Sequence, residues 1–213
     1  MPLRLPKVLA SGDDDAACEV LRRYFRERLV KTGRVRDGAL WDEWDSTGTR
    51  QRDADVFTAD DLVAVTFLSV QVSPEGADVL LRERRDEFAG LLTAVGPDRD
   101  LVDEADAITA ESPTGRLEAA LWTVPSVGRT VASKLIARKR PRLHPVYDRV
   151  IGEVLDTKKA HVEPIRQALR HNDNELHTRL VVLRGQAGLP AAVPALRVLD
   201  VLAWMQLKAP ASD

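Results

Sequence analysis

A single cysteine, Cys18, leaves no partner for an internal disulfide and no cysteine-based zinc or iron–sulfur site of the usual kind. Its place beside Ala17 in an amphipathic pattern suits a small buried residue. The four histidines, His144, His161, His171 and His177, show no metal-ligand spacing, so neither a metal nor a cofactor is expected. Neither sign of charge dominates: 31 Lys and Arg face 33 Asp and Glu, a net charge of −2. The whole molecule is therefore no polycation, and any nucleic-acid binding has to come from a local patch. No apolar run is long enough to span a bilayer and no secretory leader opens the chain, so no membrane partner is expected. An intracellular, reducing compartment follows as the expectation, bacterial cytoplasm, with nucleoid association if DNA is bound. Convincing hairpin signals and regular internal repeats are missing too.

What is there reads as helix. Asp13 to Lys31 places Ala17, Leu21, Phe25 and Leu29 at helical spacing, behind a capping cluster at Ser11 to Asp13. Gly33 to Arg52 is polar and reads as a long ordered loop, because Trp41 and Trp44 are costly to leave in water. Thr58 to Asp61 has the form of a capping box, with Leu62 to Val72 as a buried helix behind it. Pro74 starts a helix that gives way to Asp86–Val95 and stops at Gly96-Pro97. Leu101–Ala110 reads as a shorter helix, and Ser112-Pro113 as the start of Gly115–Thr123. After a turn at Pro125–Gly128 come Arg129–Lys139, Pro145–Asp156, Ala160–Arg170, Glu175–Arg184 and a closing Ala192–Leu207. The expected fold is all-α, one domain over 1–213, two-lobed, with a break near 96–97.

Two short helices joined by about five residues can pack as an antiparallel pair. Val124 and Val127 would anchor the turn, and Gly128 would supply a conformation or a close approach that a side chain forbids. The second helix then opens with unpaired N–H groups and the positive end of its dipole, a site for an anion. Arg129, Lys134, Arg138, Lys139, Arg140, Arg142 and Arg149 follow, with Asp148 alone among them. Taken at face value this is a concentrated basic patch.

Val124-Pro125-Ser126-Val127-Gly128-Arg129-Thr130-Val131-Ala132 resembles the helix-hairpin-helix motif of the DNA glycosylase superfamily, commonly written L-P-G-V-G-x-x-T-A. Tyr147-Asp148-Arg149-Val150-Ile151 falls where that family carries a V-D-x-H-V-type segment with an essential Asp, and Val154 matches a further apolar position. The resemblance covers about 115–155. The phrase from Ala137 to Val150 also resembles a bacterial family sharing this core, one without an established activity to transfer. The sequence departs from the glycosylase pattern in four places. Ser126 replaces the first hairpin Gly, which fits if that residue needs no positive φ. Thr130 stands where bifunctional members carry a Schiff-base Lys, and Lys134 lies one turn further on. Val150 replaces a frequent His, and the four-Cys loop is missing.

The resemblance implies a DNA-binding protein of base-excision repair. Pro125, Ser126, Val127, Gly128, Arg129, Thr130, Lys134, Arg138 and Arg149 would meet backbone phosphates. Asp148 would be the catalytic carboxylate, stabilising positive charge on the deoxyribose as a base departs. Without the Lys at 130, such a hydrolase would be monofunctional and leave an abasic site. Tyr147, Trp41 and Trp44 would stack on the extruded base. Two alternatives stay open: a non-catalytic module gripping phosphates through the hairpin, and an all-α interaction protein that binds no DNA.

Overall fold

The computed structural model describes residues 3–208, and every regular element among them is helical. The α-helices are α1 (Lys7–Ala10), α2 (Asp14–Phe25), α3 (Asp37–Leu40), α4 (Ala59–Thr66), α5 (Pro74–Asp78) and α6 (Arg85–Val95), then α7 (Pro113–Trp122), α8 (Arg129–Lys139), α9 (Arg149–Val154), α10 (Val162–Arg170), α11 (Glu175–Gln186) and α12 (Ala195–Lys208). No helix among the described residues is long and apolar enough to cross a membrane.

Local chemistry sets most of the helix starts. Asp13 caps α2 by accepting from the Ala16 N–H at 2.9 Å. Thr58 and Asp61 form a reciprocal capping box on α4. Ser73 and Ser112 cap α5 and α7, each followed by Pro in the first turn, where its missing N–H costs nothing. Gly96 ends α6 at φ 84°. That break does not divide the packing, however, because α6 lies directly on α7 across it. The helices sort instead into a middle set, in which α8 packs on α4 and α7, and a terminal set, in which α12 packs on α2, α9 and α11.

Four segments are shorter than their periodicity predicts. The helix expected to run to Val72 ends at Thr66, and Ser69 just beyond it takes φ 61°. α2 stops at Phe25, beyond which Arg26, Glu27 and Arg28 are all exposed and bury nothing to extend it. Of Leu101–Ala110 only a three-residue turn, Leu101–Asp103, is helical: Leu101 and Val102 are buried, but Ala105 to Ala107 face solvent. Pro145–Asp156 shrinks to Arg149–Val154 because tertiary partners capture the earlier amides. Asp200 takes the Val146 N–H at 2.9 Å and Ser133 Oγ takes that of Tyr147 at 3.0 Å. A π-helical stretch, Val79–Glu83, joins α5 to α6 and had no sequence signal.

The centre of the middle set is α8, buried continuously from Val131 to Arg140. Its apolar side packs Ala132, Leu135 and Ile136, none of them exposed. The rest of its surface buries Arg138, Lys139 and Arg140. Arg138 Nε lies 3.3 Å from Asp61 Oδ1, and its other nitrogens donate to the Trp41 and Trp44 carbonyls. Lys139 Nζ sits 2.5 Å from Asp61 Oδ2 and donates to the Asp53 carbonyl. Arg140 donates to the carbonyls of Ala54 and Leu92 and pairs with Asp55. These three cations therefore pin the segment 41–55 against α8.

Asp61 serves two of these cations and caps α4 as well. Removing it leaves buried charge uncompensated, so Asp61→Ala is expected to cost about 3–5 kcal/mol. Arg82→Ala breaks an exposed pair with Asp78 and is expected to change stability by less than about 1 kcal/mol. Urea denaturation of the two variants beside the parent checks the contrast, and equal effects would refute it.

Candidate functional site

The turn between α7 and α8 is an elbow fixed from inside and left open outside. Val124 and Val127 are buried, and the Val127 N–H donates to the Val124 carbonyl at 3.0 Å. Ser126 adopts φ 64°, the left-handed region, so the position expected to need no positive φ is the one that takes it. Its hydroxyl accepts from the Ser73 N–H at 2.8 Å, and the Pro125 carbonyl lies so close to Gly76 that a side chain there would collide. The elbow is thus tied to the start of α5. Gly128 is a different case from the one expected. Its backbone is extended, at φ −86° and ψ −176°, and an added Cβ would meet nothing within 4 Å. Neither conformation nor internal packing demands glycine here. What its bare Cα does is keep clear the exposed space before the first α8 amides, which have no side-chain cap.

Asp148 is the N-cap of α9, not a first-turn residue: its Oδ1 accepts from the Ile151 N–H at 2.8 Å. The extended stretch before it is held on both sides. Ser133 of α8 and Asp200 of α12 take the amides of Tyr147 and Val146, and His161 Nε2 lies 3.1 Å from the Val146 carbonyl. Burial pushes His144 and His161 down to about 3, so both are neutral across the physiological range. Burial pushes the Asp200 carboxyl the other way, up to about 8, against the pull of Arg197.

A cavity of about 450 Å³ opens beside Asp148, within the usual size of a small-molecule pocket. It lies where the two helix sets meet. Thr130 and Lys134 of α8, Tyr24 of α2 and Trp204 of α12 line it. Phe67 and Leu68, just past α4, line it as well. Lys134 is only 3% exposed, and its Nζ donates to the Leu68 carbonyl at 2.8 Å. Burial lowers its amine to about 8, with the charge on Asp148 opposing the shift and Arg197 adding to it. Arg197 donates to the Tyr24 hydroxyl and the Gly38 carbonyl and pairs with Asp42 at 3.1 Å.

The structure brings Thr130, Lys134, Asp148 and Arg149 to this one cavity, with Pro125 to Gly128 at the other end of the elbow. It corrects other expectations. Arg138 is 1% exposed and committed to Asp61 and two carbonyls, so it cannot reach a phosphate. Lys134 is likewise enclosed and presents its amine to the cavity, not to an outer surface. Lys139 and Arg140 are interior, Arg142 pairs with Asp100, and the basic patch mostly dissolves into ion pairs. Arg129 remains partly exposed but lies 3.9 Å over the Tyr147 ring and donates to the carbonyls of Thr157 and Lys158. Of the expected base-stacking residues, none lines the cavity. Trp41 is buried beneath the Arg138 guanidinium, and Trp44 backs Phe67 while its Nε1 donates to Asp60. Tyr147 packs between Arg129, His161 and Gly152. Sequence reasoning missed Tyr24, Phe67 and Trp204. It also passed over Arg197 and Asp200, whose signal was legible: two charges one turn apart in an otherwise apolar closing helix.

Fold and site together define an all-α protein with a carboxylate-bearing cavity at the inner end of a helical elbow. The chain belongs to a family of unknown function, DUF6308, whose model matches residues 17–207. No curated protein and no solved structure matches it.

The lowered Lys134 value carries a pH signature. Between about 8 and its ordinary 10.5 the unfolded chain holds a proton that the folded chain has released. The Lys134 contribution to stability is therefore lowest below pH 8 and rises toward pH 10.5. Lys134→Met is expected to abolish that rise relative to the parent. Denaturant midpoints of both proteins at pH 7 and pH 10 test this, and parallel shifts would refute it.

Proposed function

We propose that this chain is a DNA-binding helix-hairpin-helix protein of the glycosylase type, which draws one nucleotide into the cavity beside Asp148 and cleaves its N-glycosidic bond. One observation carries the reading: the helix that opens at the elbow and the carboxylate of Asp148 share a single nucleotide-sized cavity with aromatic walls. Backbone phosphates would approach the uncapped amides of α8 through the space that Gly128 leaves clear. Arg149, exposed at the cavity rim, and Lys158 and Lys159 nearby in sequence add positive charge.

Within the cavity, Asp148 would face the positive charge that grows on the deoxyribose as the base leaves, and would orient the attacking water. The two residues before it are held by Ser133, Asp200 and His161, and its carboxylate by the Ile151 N–H, which suits a charge-stabilising group that must not move during the step. Thr130 carries no amine and the Lys134 amine is committed to the Leu68 carbonyl, so neither would form a covalent intermediate and the product would be an intact strand with an abasic site. Tyr24, Phe67 and Trp204 would receive the extruded base.

A second reading is favoured by one contact. Asp148 Oδ1 already accepts from the Ile151 N–H, which is a complete structural role for the residue in a non-catalytic DNA-binding module.

Asn caps a helix about as well as Asp, so Asp148→Asn separates the two readings without loss of fold. Duplexes carrying uracil, alkylated or oxidised bases, incubated with excess protein and then treated with alkali, are expected to break with the parent and stay whole with Asp148→Asn. No breaks with the parent on any substrate leaves only the non-catalytic module. Gly128→Asp tests the grip itself. A carboxylate cap suits the α8 dipole, so the melting temperature is expected to hold or rise. DNA affinity is expected to fall at least tenfold, read by fluorescence anisotropy at fixed salt. Unchanged affinity removes the elbow from the interface.

A further inference from the structure

We infer that the cavity beside Asp148 holds a nucleoside phosphate, its ring against Tyr24, Phe67 and Trp204 and its phosphate on the guanidinium groups of Arg36 and Arg149. This rests on the preceding reading of the cavity as nucleotide-holding and names the chemistry that the cavity selects.

Most arginines of this chain hold a carboxylate or a carbonyl; Arg23 and Arg34 hold neither but lie outside the cavity lining. Arg138, Arg140, Arg142, Arg166, Arg179 and Arg197 each hold a carboxylate. Arg36, just before α3, and Arg149, at the start of α9, both line the cavity, and among the described residues neither side chain has an ion pair or a hydrogen bond. Arg36 Nε is shut off from solvent and has no acceptor at all. A buried donor without a partner is unfavourable, and an incoming oxygen removes that penalty.

The charges facing the same space give the sign of the ligand. Lys134 and Arg197 also line it, as do the carboxylates of Asp37 and Asp148. Arg197 is neutralised by Asp42, which leaves Arg36, Arg149 and Lys134 against Asp37 and Asp148. The balance favours an anion, and two guanidinium groups match phosphate oxygens in charge and in planar donor geometry. Aromatic side chains line the same cavity: Tyr24 and Trp204 meet edge to face at 5.9 Å, and Phe67 is a further lining residue. A flat heterocycle joined to a phosphate suits a lining of both kinds. Its source is either a free nucleotide or a nucleotide extruded from a strand.

The test is calorimetric titration of the full chain with thymidine 5′-monophosphate, thymidine and inorganic phosphate. The monophosphate is expected to bind at least tenfold tighter than thymidine, and phosphate alone more weakly than either. Arg36→Gln and Arg149→Gln are each expected to weaken the monophosphate about fivefold and leave thymidine unchanged. The double variant is expected to lose the preference with its melting temperature intact, since neither side chain holds the fold. Equal affinity for nucleoside and nucleotide, no binding of the monophosphate, or a double variant that keeps the preference overturns the inference. Competition by a short oligothymidylate assigns the phosphate to a strand, and its failure to compete assigns it to a free nucleotide. Arginine-dependent nucleotide binding without any strand binding would sink the DNA reading and spare this one. Strand binding without nucleotide preference would do the reverse.

Discussion

Three consecutive buried cations, Arg138, Lys139 and Arg140, hold this molecule together. They end α8 inside the protein, where Asp61 and a set of backbone carbonyls from 41–55 satisfy them. The segment 33–57 contains little regular structure; Trp41 and Phe57 anchor it in the core, and charge-assisted bonds to α8 fix the path between them. Through it Trp41 and Trp44 are set behind the cavity wall, and Asp42 is brought to Arg197 on α12. The cavity is therefore a consequence of how α8 is buried.

The same helix faces outward only at its beginning. Gly128 leaves its first amides uncovered, and one turn later Lys134 is enclosed against the Leu68 carbonyl. Amides without a side-chain cap and an amine of lowered basicity are thus about one turn apart on one helix. Asp148 arrives from a different direction, behind a stretch held by α8, α12 and His161, and the Ile151 N–H fixes its carboxylate.

Much of the helical framework was legible. Ser112-Pro113, the box from Thr58 to Asp61, and the acidic start at Asp13 each mark a helix whose cap is local chemistry. Cys18 is buried as its neighbours implied. The misreadings have two causes. α2 and Leu101–Ala110 stop short where the following residues bury nothing, whereas the lead into α9 is lost because distant residues claim its amides. For the site, the sequence pointed to Asp148 and the elbow but placed the aromatics wrongly. Trp41 and Trp44 are conspicuous in a polar loop, whereas Tyr24, Phe67 and Trp204 come from three well-separated helical segments and meet only in space.

By itself the sequence determined the all-α class, the starts of the locally capped helices and the turn between α7 and α8, because these depend on side chains within a few positions of one another. Only the tertiary structure decided which charges are free. A run of basic residues looks the same on paper whether it faces water or aspartate, and here Arg138, Lys139 and Arg140 turned inward while Arg36 and Arg149 stayed unpaired. Ion pairing joins residues tens of positions apart, and no local pattern encodes it.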